Sequence, residues 1–248
     1  LESKELLGIF KSKVLSNTSF YPPENPLIIN IETALRLGGK SYAQFPTQFP
    51  IKASNNILSK YNINNNYYDF SCGWGVRLMS ALRKNINYYG TEPNYLLVNK
   101  LNELTNDWKT IINNKSEVDI RAHGSEEFIP EWENKMGLAF SSPPYFNLEN
   151  YKIGNQSYKD GMTYNEWLTS YMSPTIKNIY KYLITHGYFA INIKNLKEYS
   201  IATDTKEIIE NNGFHFIGTE LLTQRNRTKR NGDENDNSEL IYIYQKGD

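Results

Sequence analysis

"YYDFSCGWGVRLMSALRKNINYYGTEPN" (67–94) decides the fold. Tyr67 and Tyr68 lie in a strand-like run, "NNYYDF" (65–70). Gly73 and Gly75 interrupt it, and "VRLMSALRK" (76–84) follows with the apolar spacing of a helix. "NYYGTE" (87–92) is a second short strand that ends on an acidic residue, Glu92. Strand, glycine turn, helix and strand form a parallel crossover unit. In an open α/β sheet, ligands lie at the carboxyl ends of strands. Glycines there let the backbone approach a ligand, and an acid at the next strand end can accept hydrogen bonds from both hydroxyls of a ribose. No third glycine stands at the dinucleotide spacing, which argues against NAD.

Outward from this unit the alternation continues. The spacing of Leu97, Leu101, Leu104, Trp108 and Ile111 predicts a helix over 94–112. "EVDIRAH" (117–123) and "MGLAFS" (136–141) read as strands, and 164–184 as a long helix with Pro174 as a kink or break. "GYFAINIK" (187–194) is a strand. A helix over 203–212 starts at Thr203 or Asp204 and stops at Gly213. Strands at 214–222 and 239–246 close the chain around a polar loop. The seven strands are expected to form a mostly parallel sheet covered by helices, with a final antiparallel pair. A single core spans 45–246, with 1–44 as an N-terminal extension.

Composition narrows the function. The 248 residues are 39% hydrophobic and 14% aromatic, with zero formal net charge. A nucleic-acid partner must therefore be met by a local basic patch. The one cysteine, Cys72, excludes a disulfide framework. His123, His186 and His215 lack metal-ligand spacing, so no metal is expected. No run of eighteen apolar residues suggests a membrane span. These features fit a reducing compartment such as the cytoplasm.

"SSPPYF" (141–146) follows the fourth strand. Two prolines remove two donors and set two φ angles, so strand and helix both end there. By itself this is a rigid turn with an aromatic plug. Together, "DFSCGWG", "GTEPN" and "SSPPYF" resemble the motif set of S-adenosylmethionine-dependent DNA amino-methyltransferases, whose cofactor motif reads approximately Asp-Pro-Phe-x-Gly-x-Gly and whose catalytic motif reads (Asp/Asn/Ser)-Pro-Pro-(Tyr/Phe). Asp69, Gly73 and Gly75 match, Phe70 and Ser71 depart, and Ser142, Pro143, Pro144 and Tyr145 match throughout.

The resemblance implies a class I methyltransferase fold of the Rossmann-like type, a seven-stranded mostly parallel sheet with one antiparallel strand, and S-adenosylmethionine as cofactor. Its contacts would be Asp69, Ser71, Cys72, Gly73, Gly75 and Glu92, with Ser125 and Glu126 beside the adenine. Phe45, Pro46 and Phe49 wall the cofactor or simply pack in the core. Trp74 either shields the methionine moiety or packs on the next helix. The Ser142 hydroxyl and the Pro143 carbonyl would accept the hydrogens of a base amine, and Tyr145 would stack on a flipped base. Ser at the first position points to N4-cytosine, with N6-adenine as the alternative. RNA, protein glutamine or a non-catalytic nucleic-acid-binding role are further alternatives. There is no room for a large target-recognition domain, so DNA contacts fall to 147–167, to the basic cluster Arg225, Arg227, Lys229 and Arg230, or to a partner subunit. Asn147 and Glu149 could face the base.

Overall fold

Two tyrosine pairs sit side by side at the centre of the sheet. In β1 (Asn66–Asp69) and the parallel β2 (Asn87–Thr91), Tyr67 pairs with Tyr88 and Tyr68 with Tyr89. Successive side chains alternate between faces. Tyr67 and Tyr88 therefore enter one apolar core, and Tyr68 and Tyr89 the other. The described residues of this computed structural model are 49–148, 156–222 and 239–248. They belong to the compact unit Phe49–Asp248. The unit thus starts four residues after the expected boundary at 45, and residues 1–44 lie outside the described residues.

The helix α1 (Ile51–Tyr61) precedes β1. The glycine turn leads into α2 (Val76–Arg83), and after β2 comes α3 (Tyr95–Ile111). The Asn94 side chain caps α3, accepting from the amides of Leu96 and Leu97 at 3.1 and 3.4 Å. β3 (Val118–Arg121) and β4 (Met136–Ser141) follow. Next come α4 (Tyr164–Trp167), a π-helical stretch (Leu168–Met172), α5 (Ser173–Tyr182), β5 (Leu183–Asn192), α6 (Ile201–Asn211), β6 (Phe214–Leu222) and β7 (Glu239–Lys246). The sheet order is β3-β2-β1-β4-β5-β7-β6. Only β7 runs against the rest, antiparallel to both β5 and β6. α1, α2 and α3 fill one face and α4 to α6 the other.

Several local expectations change. α1 falls in a segment with no predicted helix; its Ala53, Ser54, Ile57 and Leu58 are buried. α3 turns a different stripe inward. Val98, Leu101 and Thr105 are buried, while Ile111 is exposed. The long helix stops at Tyr182 and β5 starts at Leu183, not 187. A register irregularity against β4 accommodates the change, with His186 at φ +62°. Pro174 does not break the helix, because the π-helical turn before it loosens the hydrogen-bond ladder where a proline has no N–H to give. α6 starts at Ile201. Its first amides are held by Asn195 Oδ1, which accepts from Ala202 and Thr203 at 2.8 and 3.3 Å. The three histidines are exposed, and among the described residues no His, Cys, Asp and Glu group could hold a metal. No described helix is long and apolar enough to cross a membrane.

The order places β1 between β2 and β4, which is where the chain's winding reverses. A crevice opens at such a switch point. The two glycines there have different jobs. Both are left-handed, Gly73 at φ +53° and Gly75 at φ +80°. A Cβ on Gly75 would stand 2.8 Å from Leu101 Cδ2 and 3.2 Å from Leu104 Cδ2, whereas one on Gly73 meets only Ser71 O, at 3.8 Å. Gly75→Ala is therefore expected to lose about 1–2 kcal/mol to backbone strain and about 1–3 kcal/mol to overpacking. Gly73→Ala should lose only the first. Urea denaturation of the two variants checks the difference.

Candidate active site

The end of β1 is built around a buried ion pair. Arg77, in the first turn of α2, donates from Nε to Asp69 Oδ2 at 2.9 Å and from Nη2 to Oδ1 at 3.1 Å. Asp69 is 0% and Arg77 6% exposed. Tyr88 from β2 donates to Oδ2 at 2.9 Å, and Ser141 from β4 donates to Oδ1 at 2.8 Å. The Ser71 amide reaches Oδ1 at 3.3 Å. Arg77 Nη2 also donates to the Ser71 carbonyl and, at 3.0 Å, to Ser141 Oγ. Burial would lower the Arg77 pKa, but the Asp69 carboxylate outweighs it and raises it. One carboxylate thus ties together the glycine turn, α2, β2 and the proline turn. Both its oxygens are engaged inside the protein, so Asp69 acts on a ligand only through the turn it holds.

Sequence reasoning missed Arg77 and Ser141. The signal for Arg77 was an arginine on the helix directly after the glycines, eight residues from an aspartate at a strand end. For Ser141, strand alternation gives the clue: of two adjacent serines, one must face the interior.

The remaining cofactor candidates separate by position. Cys72 is buried, and its sulfur would lie 2.5 Å from a Cβ on Gly90. Burial pushes its thiol well up. Ser71 contributes its backbone to the Asp69 and Arg77 cluster. Glu92 sits at the end of β2, with Oε1 accepting from the Asn94 amide at 3.0 Å, and burial raises its carboxyl above the ordinary carboxylate value. The Ser125 hydroxyl is shared with Thr175 at 2.9 Å, and its carbonyl accepts from Asn178. Glu126 differs: its carboxylate folds over Gly124, whose Cβ would lie 2.4 Å from either oxygen. Glu126 Oε2 is buried with no hydrogen-bond partner, and burial raises this carboxyl too. A buried acceptor without a donor is costly and fits a ligand N–H. Trp74 is 62% exposed, so it does not pack on α2. Phe49 packs in the core, edge-on to Phe140 at 5.5 Å, with the Arg77 guanidinium 5.2 Å from its ring centre.

Ser142–Tyr145 leaves the carboxyl end of β4, the strand beside β1. Ser141 points inward to Asp69, and Ser142 points the other way, with its Oγ 3.4 Å from Asn192 Oδ1 on β5. Tyr145 is buried at the margin of the core, and Phe146 takes φ +43°. Around Phe146 stand Tyr158, Tyr164, Trp167 and Tyr199, with ring centres 5.0–5.8 Å away. That packing holds a residue whose backbone conformation is unfavourable without glycine. Asn147 is exposed; Glu149, Phe45 and Pro46 lie outside the described residues. So do Arg225, Arg227, Lys229 and Arg230. The residues flanking their loop, Leu222 and Glu239, pair with each other at the sheet end that carries Asn192.

No protein-family model and no curated protein matches the chain. Solved structures do. The N-methyltransferase NodS from Bradyrhizobium japonicum WM9 is 12% identical with a TM-score of 0.54, covering 80% of this chain and 94% of that one. This chain has the class I methyltransferase fold. An S-adenosylmethionine-dependent methyltransferase described as putative, from Listeria monocytogenes, is 11% identical, TM-score 0.51, covering 79% of this chain and 100% of that one. The [4+2]-cyclase SpnF, 13% identical, reaches 0.53 with 79% and 80% covered. A cyclase on this fold shows that architecture alone does not choose the reaction.

The ion pair makes a stability prediction. Arg77→Met should cost about 3–5 kcal/mol, because Asp69 is left charged, buried and unpaired. Chemical denaturation with a circular dichroism readout measures it. Cys72 should resist a disulfide exchange reagent at neutral pH until the protein unfolds, since a raised thiol pKa and burial both withhold the thiolate.

Proposed function

We propose that this protein is an S-adenosylmethionine-dependent methyltransferase acting on an exocyclic base amine in DNA. N4-cytosine is the first candidate and N6-adenine the second. The observation that carries the reading is the position of Ser142-Pro143-Pro144-Tyr145. It leaves β4 directly beside the glycine turn of β1, and Asp69 links the two turns through Ser71 and Ser141.

The residues at the strand ends suit the cofactor. Gly73 leaves open space at the turn, Glu92 offers a carboxylate for ribose hydroxyls, and the unpartnered Glu126 Oε2 fits a donor such as the adenine amine. When bound, the cofactor supplies an electrophilic methyl on a sulfonium. The protein prepares the acceptor. A base amine is a poor nucleophile because its lone pair is delocalised into the ring. The Ser142 hydroxyl oxygen and the Pro143 carbonyl accept its hydrogens and hold the lone pair in line, and the prolines keep these acceptors rigid. Tyr145 is assigned the stacking of a flipped base; its ring is buried here, 8% exposed, so stacking requires it to swing out of the core.

DNA as partner is supported by the basic loop. Leu222 and Glu239, which flank it in the chain, pair at the sheet end that carries Asn192, and the reading assigns Arg225, Arg227, Lys229 and Arg230 between them to the phosphate backbone. A partner subunit could supply target recognition.

Incubation with labelled cofactor and DNA, followed by separation of the nucleosides, should give N4-methylcytosine or N6-methyladenine. Label on RNA or protein only would overturn the DNA reading. The cofactor product S-adenosylhomocysteine should bind with an affinity that falls as pH drops. Glu92 and Glu126 accept hydrogen bonds most strongly when ionised, and burial raises both carboxyls. The loss should therefore begin at a higher pH than for an ordinary carboxylate of about 4.3. Calorimetry across pH measures it.

A further inference from the structure

Asn192 ends β5 and is 4% exposed. Its Nδ2 donates to the Leu240 carbonyl at 2.9 Å. A carbonyl only accepts, so Leu240 fixes which end of the amide it meets, and Oδ1 is left for the opposite side. There Ser142 Oγ lies at 3.4 Å. Oδ1 also only accepts, so Ser142 gives it the hydroxyl proton. A hydroxyl has one proton, and what Ser142 then presents elsewhere is lone pairs. The contact is longer than a usual O–H···O bond, and catalytic contacts of this kind tighten when substrate arrives.

We infer that Asn192 is a positioning residue that sets the Ser142 hydroxyl as a hydrogen-bond acceptor, so that the site selects groups bearing N–H over groups bearing a carbonyl oxygen. The substrate side rests on the amine-methyltransferase reading; the polarity of Ser142 belongs to the protein alone. Cytosine N4 and adenine N6 carry donors, whereas thymine O4 carries lone pairs. An acceptor-only Ser142 attracts the first two and repels the third. In transfer, the nitrogen–carbon bond forms as the sulfur–carbon bond breaks, and one amine proton leaves to solvent. Without Asn192 the Ser142 proton is free to turn toward the incoming amine and oppose it.

Two measurements test this. The first needs no substrate. Ser142→Cys places a thiol in the same position, and its alkylation by iodoacetamide is followed against pH, with the modified peptide identified by mass so that Cys72 is not counted. A neighbouring acceptor disfavours the thiolate. Adding Asn192→Ala should therefore move the midpoint of the rate profile down. A midpoint that stays or rises overturns the inference. Should Asn192→Ala fail to fold, Asn192→Ser retains a donor for Leu240 without the amide oxygen and is read the same way.

The second is a cycle in methyl transfer. Asn192→Ala should lower kcat by about tenfold, the loss of one oriented hydrogen bond, and leave the cofactor KM unchanged. In a Ser142→Ala background it should have no further effect. Multiplying losses would make Asn192 merely structural and overturn the inference. If the wild-type protein methylates no amine, the functional reading fails, and the cysteine profile still decides the polarity of Ser142.

Discussion

The Asp69–Arg77 ion pair is the constraint on which the site depends. Two full charges are withdrawn from water, a cost that their attraction alone does not reliably recover. The structure offsets it by surrounding the carboxylate with Tyr88, Ser141 and the Ser71 amide. The gain lies in geometry. Each added donor comes from a different element, so the ends of β1, β2 and β4 and the start of α2 hold one arrangement. Arg77 spans the glycine turn, touching Asp69 on one side and the Ser71 carbonyl on the other, and so holds its bend.

The proline turn inherits that rigidity. Ser141 is its last strand residue and a member of the charge cluster, so the turn leaves the sheet from a fixed point. From there Ser142 meets Asn192, and Phe146 is pressed into a left-handed conformation by a ring of aromatic side chains. Tyr164 in that ring is itself held by Asp204 of α6, at 2.6 Å. The helical layer on this face therefore supports the turn directly.

Much of this was legible before any coordinates. The alternation of short apolar runs with helical periods around Gly73 and Gly75 is enough for a parallel sheet, since βαβ crossovers admit few other folds. The strand ends bearing Asp69, Glu92 and Ser142 follow from the same pattern. α1 was illegible because no side chain caps its start, no acidic residue stands in its first turn, and Asn55 and Asn56 interrupt an amphipathic repeat as marked as that of the predicted helices. The start of β5 was hidden because "YLITHGY" (182–188) suits a helix end as well as a strand, and a local irregularity against β4 decided it.

By itself the sequence determined the seven strands and their order, the helices between them apart from α1, and the residue types at each strand end, because these follow from local periodicity and turn chemistry. Only the tertiary structure decided what those residues face. It turned Asp69 from an apparent ligand contact into an internal clamp and gave Ser125 to Thr175. It left one oxygen of Glu126 without a donor, and it set Asn192, fifty residues away in sequence, beside Ser142. Such pairings depend on strand register and on which side of the pleat each side chain takes, and both are settled by packing between segments distant in sequence.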